Sequence, residues 1–239
     1  KDTGEIIHET TELPDDIQSL LKLKIDKNRR SLIESNHTST HLLHQALRNI
    51  LGKHVEQRGS MISDKMFRFD FSHQNKISDL ELVNITDFVN EKINQSIDII
   101  ENREEDYKMA IKNGAIGLFT EKYEDKVRTI KFNDSYELCG GTHVKNTSLI
   151  SAFKIISEGS QAFGIRRIVA TSNKEQIISE NLKQKEIKEK ANSDNLNKLQ
   201  KKEIELQNKI KIQSIKKDLT KNIRKINNVN FFVGEIDLD

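Results

Sequence analysis

The chain has one cysteine, one proline and no tryptophan in 239 residues, and aromatic residues make up only 5% of it. A single thiol excludes an internal disulfide and favours a reducing compartment. No apolar run approaches the roughly 18 residues needed to cross a bilayer. The opening stretch KDTGEIIHETTELP also lacks the apolar core of a signal peptide. A soluble, cytoplasmic protein with no membrane partner is expected. There is no phosphate-binding glycine loop, so ATP chemistry is not expected within this stretch. The net charge is only +2, and any affinity for nucleic acid must come from local clustering of Lys and Arg. Apolar residues are 35% and charged residues 32%, which is lean for a single core and implies a full domain with a long solvated segment attached.

What is there divides at the glycines and the single proline. Residues 1–34 contain short apolar alternations, EIIHETTELP and LLKLKIDKNRRSLI, which read as strands separated by a turn at Pro14 and Asp15. In SNHTSTHLLHQALRNILG, Ser35 or Asn36 suits an N-cap, Leu43, Ala46, Leu47, Ile50 and Leu51 recur at helical spacing, and Gly52 can close the helix. A helix over roughly 37–51 is predicted. HVEQRGSMISDKMFRFDFSH reads as two strands joined around Gly59, with Phe67, Phe69 and Phe71 on one face and Arg68 and Asp70 on the other. DLELVNITDFVNEKINQS is helical, whereas GAIGLF, KVRTIKF, SYELCGGTHV, SAFKIISEG and GIRRIVAT read as short strands. Strands in runs, with helices interspersed and no regular βαβ rhythm, predict an α+β fold. From Ile165 to Val233 there is neither glycine nor proline, and residues 174–225 carry fifteen Lys and Arg against eight Asp and Glu. That stretch reads as a long basic helix or helical hairpin, either a solvated face or a surface for RNA phosphates. NVNFFVGEIDLD reads as the first strand of a further domain.

Two residue pairs carry chemistry. His37 and His41 stand at i and i+4, so both imidazoles lie on one helix face a turn apart, although an isolated H-x-x-x-H is a weak signal. ELCGGTHV places Cys139 four residues before His143, with Gly140 and Gly141 between them to let the backbone fold tightly. Cys139 is either a small buried residue beside a turn or half of a metal site. Taken together, three imidazoles and one thiolate have the number and softness that tetrahedral zinc prefers.

The motifs NHTSTHLLHQALRNILGKHVEQRGS, RFDFSH, ELCGGTHV and FKIISEG…GIRRI occur in this order over residues 21–172. Together they resemble the editing domain of bacterial-type alanyl-tRNA synthetases and their free-standing relatives. The resemblance implies a two-layer α+β editing domain over residues 35–173, preceded over 1–34 by the end of a β-barrel. A basic helical linker over 174–227 and the start of a C-terminal domain over 228–239 would follow. It implies one Zn2+ per chain on His37, His41, Cys139 and His143, a substrate-sensing Thr40 and a pocket Gln57. The implied partner is tRNA(Ala) mischarged with serine or glycine, hydrolysed at its ester. Alanine attachment with ATP would belong to the rest of such a synthetase. Arg166 and Arg167 are expected contacts for acceptor-end phosphates. His44 reads as a helix-surface residue or a partner behind the ligands, and His54, His73 and Asp70 follow the family pattern but also suit strand packing. Ser148, Ser151 and Val169 depart from that pattern, which commonly has glycine at the first two positions and often glutamate at the third. A free-standing deacylase and an RNA-binding module with a purely structural zinc are the alternatives.

Overall fold

The computed structural model describes residues 9–13, 15, 16, 18, 20, 22–117, 123–221, 223–227 and 229–232. Among the described residues before Lys27 there is no strand. The alternation in LLKLKIDKNRRSLI gives way to irregular chain and then helix, and part of EIIHETTELP lies outside the described residues. Helix α1 runs over Lys27–Ile50, starting well before residue 37. Its N-cap is Asp26 rather than Ser35 or Asn36, with Oδ1 accepting the Arg29 N–H at 3.0 Å. The first two turns are largely exposed and need no apolar stripe, so hydrophobic periodicity gives no sign of them. At the other end Gly52 takes φ +120 and donates its N–H to the Arg48 carbonyl, as a C-terminal glycine does.

Strands β1 (Gln57–Ile62) and β2 (Phe67–Ser72) follow. Gly59 does not join them. It sits within β1 at a bulge, and the turn lies at residues 63–66, where Ser63 Oγ donates to the Met66 carbonyl at 2.8 Å. Phe67, Phe69 and Phe71 are all buried on one face. Helix α2 (Asp79–Asn94) opens with a capping box between Ser78 and Glu81, and buries Ile85, Val89 and Ile93 at four-residue steps. Strand β3 (Ile100–Asp106) and the short α3 (Tyr107–Lys112) were not predicted, because IENREED is almost wholly exposed and carries no alternation. Next are β4 (Lys126–Phe132) and the four-residue β5 (Ser135–Leu138), joined through Asn133 at φ 53. CGGTHV therefore lies beyond the strand, in a loop. Strands β6 (Lys154–Ala162) and β7 (Ile165–Thr171) form the last hairpin of this region.

The strands make two antiparallel sheets, in the orders β1-β2-β7-β6 and β3-β4-β5. Helix α1 runs between them, touching α2, β1, β2 and β5. That position explains why Ser35 to Leu47 are buried, His37 only partly, whichever way they point. One apolar core joins Leu42, Leu43 and Leu47 to the three phenylalanines, Ile85, Val89, Ile130 and Ile168.

The chain divides into two compact units, residues 1–177 and 178–239. Helix α4 covers Lys174–Lys221 as one continuous helix, and Leu196, Leu199, Ile204, Leu206 and Ile210 on it are each more than half exposed. Beyond it β8 (Ile223–Ile226) pairs with β9 (Val229–Phe232), so the basic stretch ends in a hairpin strand rather than in helix to residue 225.

A helix carrying many polar groups in an interior needs partners for them. Asn36 is one that is met: Nδ2 donates to the Ser63 carbonyl at 2.8 Å, and Oδ1 accepts the Ser172 N–H and hydroxyl, each at 2.8 Å. One side chain thus ties α1 to the β1–β2 turn and to the end of β7. Asn36→Ala leaves those groups dry and unpaired, and should lower the unfolding free energy by about 2 to 4 kcal/mol. Urea titration reads it as a lower midpoint with unchanged slope.

Candidate metal centre

The stripe His37, His41, His44, Arg48 runs along α1 at three- and four-residue steps. Facing it are Glu137 on β5 and Cys139 just beyond, carried to the same side by the strand's two-residue alternation. The loop then returns His143 to the group. His37, His41, Cys139 and His143 offer ligand atoms that all lie within 4.8 Å of one another. Cys139 Sγ is 3.4 Å from His37 Nε2 and 3.3 Å from His143 Nε2. A tetrahedral ion with legs of about 2.0 to 2.3 Å spaces its ligands by roughly 3.3 to 3.7 Å, so these separations match the edges of such a shell. The cluster could hold a metal ion.

The groups behind the ligands orient them. His37 Nδ1 faces the Thr142 carbonyl at 3.1 Å and must donate there, which leaves the Nε2 lone pair toward the cluster. His143 Nδ1 is 3.1 Å from Thr38 Oγ1, which also accepts the Val144 N–H. Gly141 N–H donates to Cys139 Sγ at 3.4 Å. Arg128 Nη1 donates to the carbonyls of Cys139 at 2.7 Å and Gly141 at 2.6 Å, while its Nε donates to Glu101 at 2.8 Å. The loop is therefore fastened from β4 and from α1. Burial lowers all three imidazoles from their ordinary value, His41 to about 3 and His143 to about 2, and it raises the Cys139 thiol. Neutral imidazoles keep the lone pairs that a metal needs.

A cavity of about 550 Å³ opens on the cluster, lined by His37, His41 and Cys139 together with Thr40, Gln57, Ser60 and Arg128. Thr40 Oγ1 donates to the His37 carbonyl at 2.7 Å, so the hydroxyl offers the cavity lone pairs rather than a proton. Gln57 Nε2 donates to Ser60 Oγ at 3.1 Å.

A family model described as "Threonyl and Alanyl tRNA synthetase second additional domain" matches residues 127–169, the stretch from β4 through the cysteine loop into β7. An alanine–tRNA ligase of Christiangramia forsetii is 44% identical, covering 100% of this chain and 29% of its own length. That of Flavobacterium psychrophilum is 41% identical over 100% of this chain and 28% of its own. That of Cytophaga hutchinsonii is 48% identical over 71% of this chain and 20% of its own. The chain belongs to the alanyl-tRNA synthetase family. It spans less than a third of the length of these curated relatives.

Within this synthetase segment the other expected residues fall in different places. Arg167 Nε and Nη2 donate to the two oxygens of Asp70 at 2.6 and 2.8 Å, and Arg166 pairs with Glu158. Neither arginine lines the cavity that opens on the cluster. The Arg167 guanidinium holds the Asp70 carboxyl below the usual carboxylate range. His54 Nε2 and His73 Nδ1 bond each other at 2.9 Å, also away from the cluster. His44 is not a surface residue: it is fully buried, and its Nδ1 lies 3.0 Å from Glu137 Oε1. Sequence reading passed over Glu137, Arg128 and Ser60. The one signal available was the alternation that sets Glu137 two residues before Cys139.

The two glycines of the loop are not equivalent. A Cβ at Gly141 would lie 2.1 Å from His37 Cε1, whereas one at Gly140 would meet nothing within 4 Å. Gly141→Ala should therefore push His37 out of the cluster and weaken metal binding roughly tenfold or more, by analogy with the loss of an orienting group. Gly140→Ala should bind nearly as the unmodified chain does. Competition against a chromogenic chelator separates the two.

Proposed function

We propose that this segment is the proofreading unit of an alanyl-tRNA synthetase, hydrolysing the ester of tRNA(Ala) mischarged with serine or glycine. The whole protein would attach alanine to tRNA(Ala) with ATP, in the cytoplasm. Among the described residues no helix is long and apolar enough to cross a membrane. The observation that carries the reading is that Thr40 and Gln57 open on the same cavity as the four-residue cluster. The need is chemical: an alanine activation site cannot strongly reject glycine, or serine with its one added hydroxyl, so a second hydrolytic site is required. Similarity to two full-length ligases across the whole chain, basic helix included, favours this over a free-standing deacylase.

Three imidazoles and a thiol suit zinc rather than calcium or magnesium. Bound there, zinc supplies positive charge to orient the aminoacyl group and stabilise charge developing on the ester. Gln57 and Ser60 hold the attacking water across the cavity from the cluster. Thr40 accepts a hydrogen bond from the serine hydroxyl, which alanine cannot donate. Arg167 gives Nε and one Nη2 hydrogen to Asp70, so its remaining Nη hydrogens are the donors left for an acceptor-end phosphate; Arg166, next along β7 and so on the opposite face, pairs with Glu158 and would reach phosphate from that face only. A shell of four protein ligands also fits a purely structural metal. Chelation that abolishes hydrolysis while the fold persists separates the two.

Elemental analysis should find about one zinc per chain, and Cys139→Ala should lose most of it without unfolding. A folded, metal-free preparation would refute the assignment. Thr40→Val should keep zinc yet narrow the rate difference between Ser-tRNA(Ala) and Ala-tRNA(Ala) by about ten- to a hundredfold, the worth of one buried polar partner. Thr40→Ser, which keeps the hydroxyl, should retain most of the preference. Deacylation assays on the two charged tRNAs decide it, and an undiminished preference in the valine protein removes Thr40 from recognition.

A further inference from the structure

Among the described residues, Glu137 is the one carboxylate set deep in the interior around the cluster, with side-chain exposure of only 4%. Such a charge persists in an interior only when it is balanced and bonded. Its oxygens face two ring nitrogens: Oε1 lies 3.0 Å from His44 Nδ1 and Oε2 lies 3.7 Å from His41 Nδ1. Arg48 acts on it only through space, since its Nη1 is bonded to the carbonyls of Lys53 and Val55. Among the described residues no Lys or Arg nitrogen reaches ion-pair distance of it. His44, on the next turn of α1, holds the carboxylate from the side away from the cluster. His41 turns Nδ1 toward Glu137, and that leaves Nε2 for the ligand set.

We propose that Glu137 is the positioning residue of the metal centre. Lying 3.7 Å from His41 Nδ1, a nitrogen with no hydrogen-bond partner among the described residues, it attracts that N–H through space, which favours the ring as an Nε2 ligand, and it supplies the second negative charge that, with the Cys139 thiolate, balances a divalent cation. The charges then sum to neutrality inside the protein: two positive on the ion, one negative on sulfur, one negative on the carboxylate, with three neutral imidazoles. Without an ion the same carboxylate is a buried charge lacking a full counter-charge. The interaction thus has opposite signs in the two states. The inference rests on the proposed metal site.

The test compares the unmodified chain with Glu137→Gln, which keeps size and hydrogen-bonding reach but removes the charge. Zinc affinity, read by chelator competition, should fall roughly 10- to 100-fold. Thermal melting should show Glu137→Gln below the unmodified chain when zinc is bound, and level with it or above it after chelation. Cobalt substituted for zinc should show a shifted visible spectrum in the variant, because His41 loses the negative charge behind it and becomes a weaker donor to the metal. Should Glu137→Gln not fold, Glu137→Asp carries the test: it keeps the charge, withdraws it from His41 by one methylene, and should lower affinity while the fold persists. Unchanged zinc affinity, or an equal loss of melting temperature with and without zinc, overturns the inference while leaving the metal site standing. An unmodified chain that takes up no metal overturns both.

Discussion

The site depends on a polar helix packed where a greasy one would ordinarily lie. Helix α1 passes between two sheets, so its middle turns have no solvent side, yet they carry Asn36, Thr38, Ser39, His41 and His44 as well as leucines. Each buried polar group must find a partner, or its desolvation is left uncompensated. Asn36, Thr38 and His44 Nδ1 find partners on segments distant in sequence, Ser63 and Ser172, Val144 and His143, and Glu137, whereas Ser39 Oγ, His41 Nδ1 and His44 Nε2 have no hydrogen-bond partner among the described residues. Meeting those requirements draws the β5 loop onto the helix, and the ligand cluster is where it arrives.

Seen this way, the cysteine loop is held by structure rather than by its own sequence. Arg128 fastens two of its carbonyls, the Cys139 N–H returns to the Arg128 carbonyl at 3.0 Å, and Gly141 lies against the His37 ring with no room for a side chain. Ligands fixed by packing in this manner lose little conformational entropy when an ion binds, which is the advantage of preorganisation.

The motif pairs His37–His41 and Cys139–His143 were legible because spacing alone puts each pair on one side of its element. Their convergence was not, since it depends on a contact between residues about a hundred positions apart. The start of α1 was missed for a related reason: its first turns are exposed and charged, so their signal is the Asp26 cap rather than periodicity. Strand β3 has almost every side chain exposed, and its links to β4 beyond the backbone ladder are polar ones, Glu101 to Arg128 and Glu105 to Thr129, leaving no apolar alternation to read. The phenylalanine alternation of β2, by contrast, predicts its buried face correctly, because a half-buried strand writes its environment into its sequence. His44 was left open between the surface and a place behind the ligand pair, because a histidine one turn beyond such a pair reads either way unless the opposing carboxylate is known.

The direction of the Thr40 hydrogen bond limits how any substrate can be sensed at that position. Its proton goes to the His37 carbonyl, an i−3 contact within the helix, and so the hydroxyl is locked in orientation by the same residue whose ring joins the cluster. What it presents to the cavity is an acceptor alone. A side chain bearing an O–H satisfies that acceptor; a methyl group of similar reach displaces water from it and gives nothing back. Discrimination built on an unpaired acceptor does not require the larger side chain to be excluded, only the apolar one to be left less well bound. Were serine and alanine esters to meet such an acceptor, as proposed, serine would be favoured although alanine is the smaller, which no pocket working by size could do.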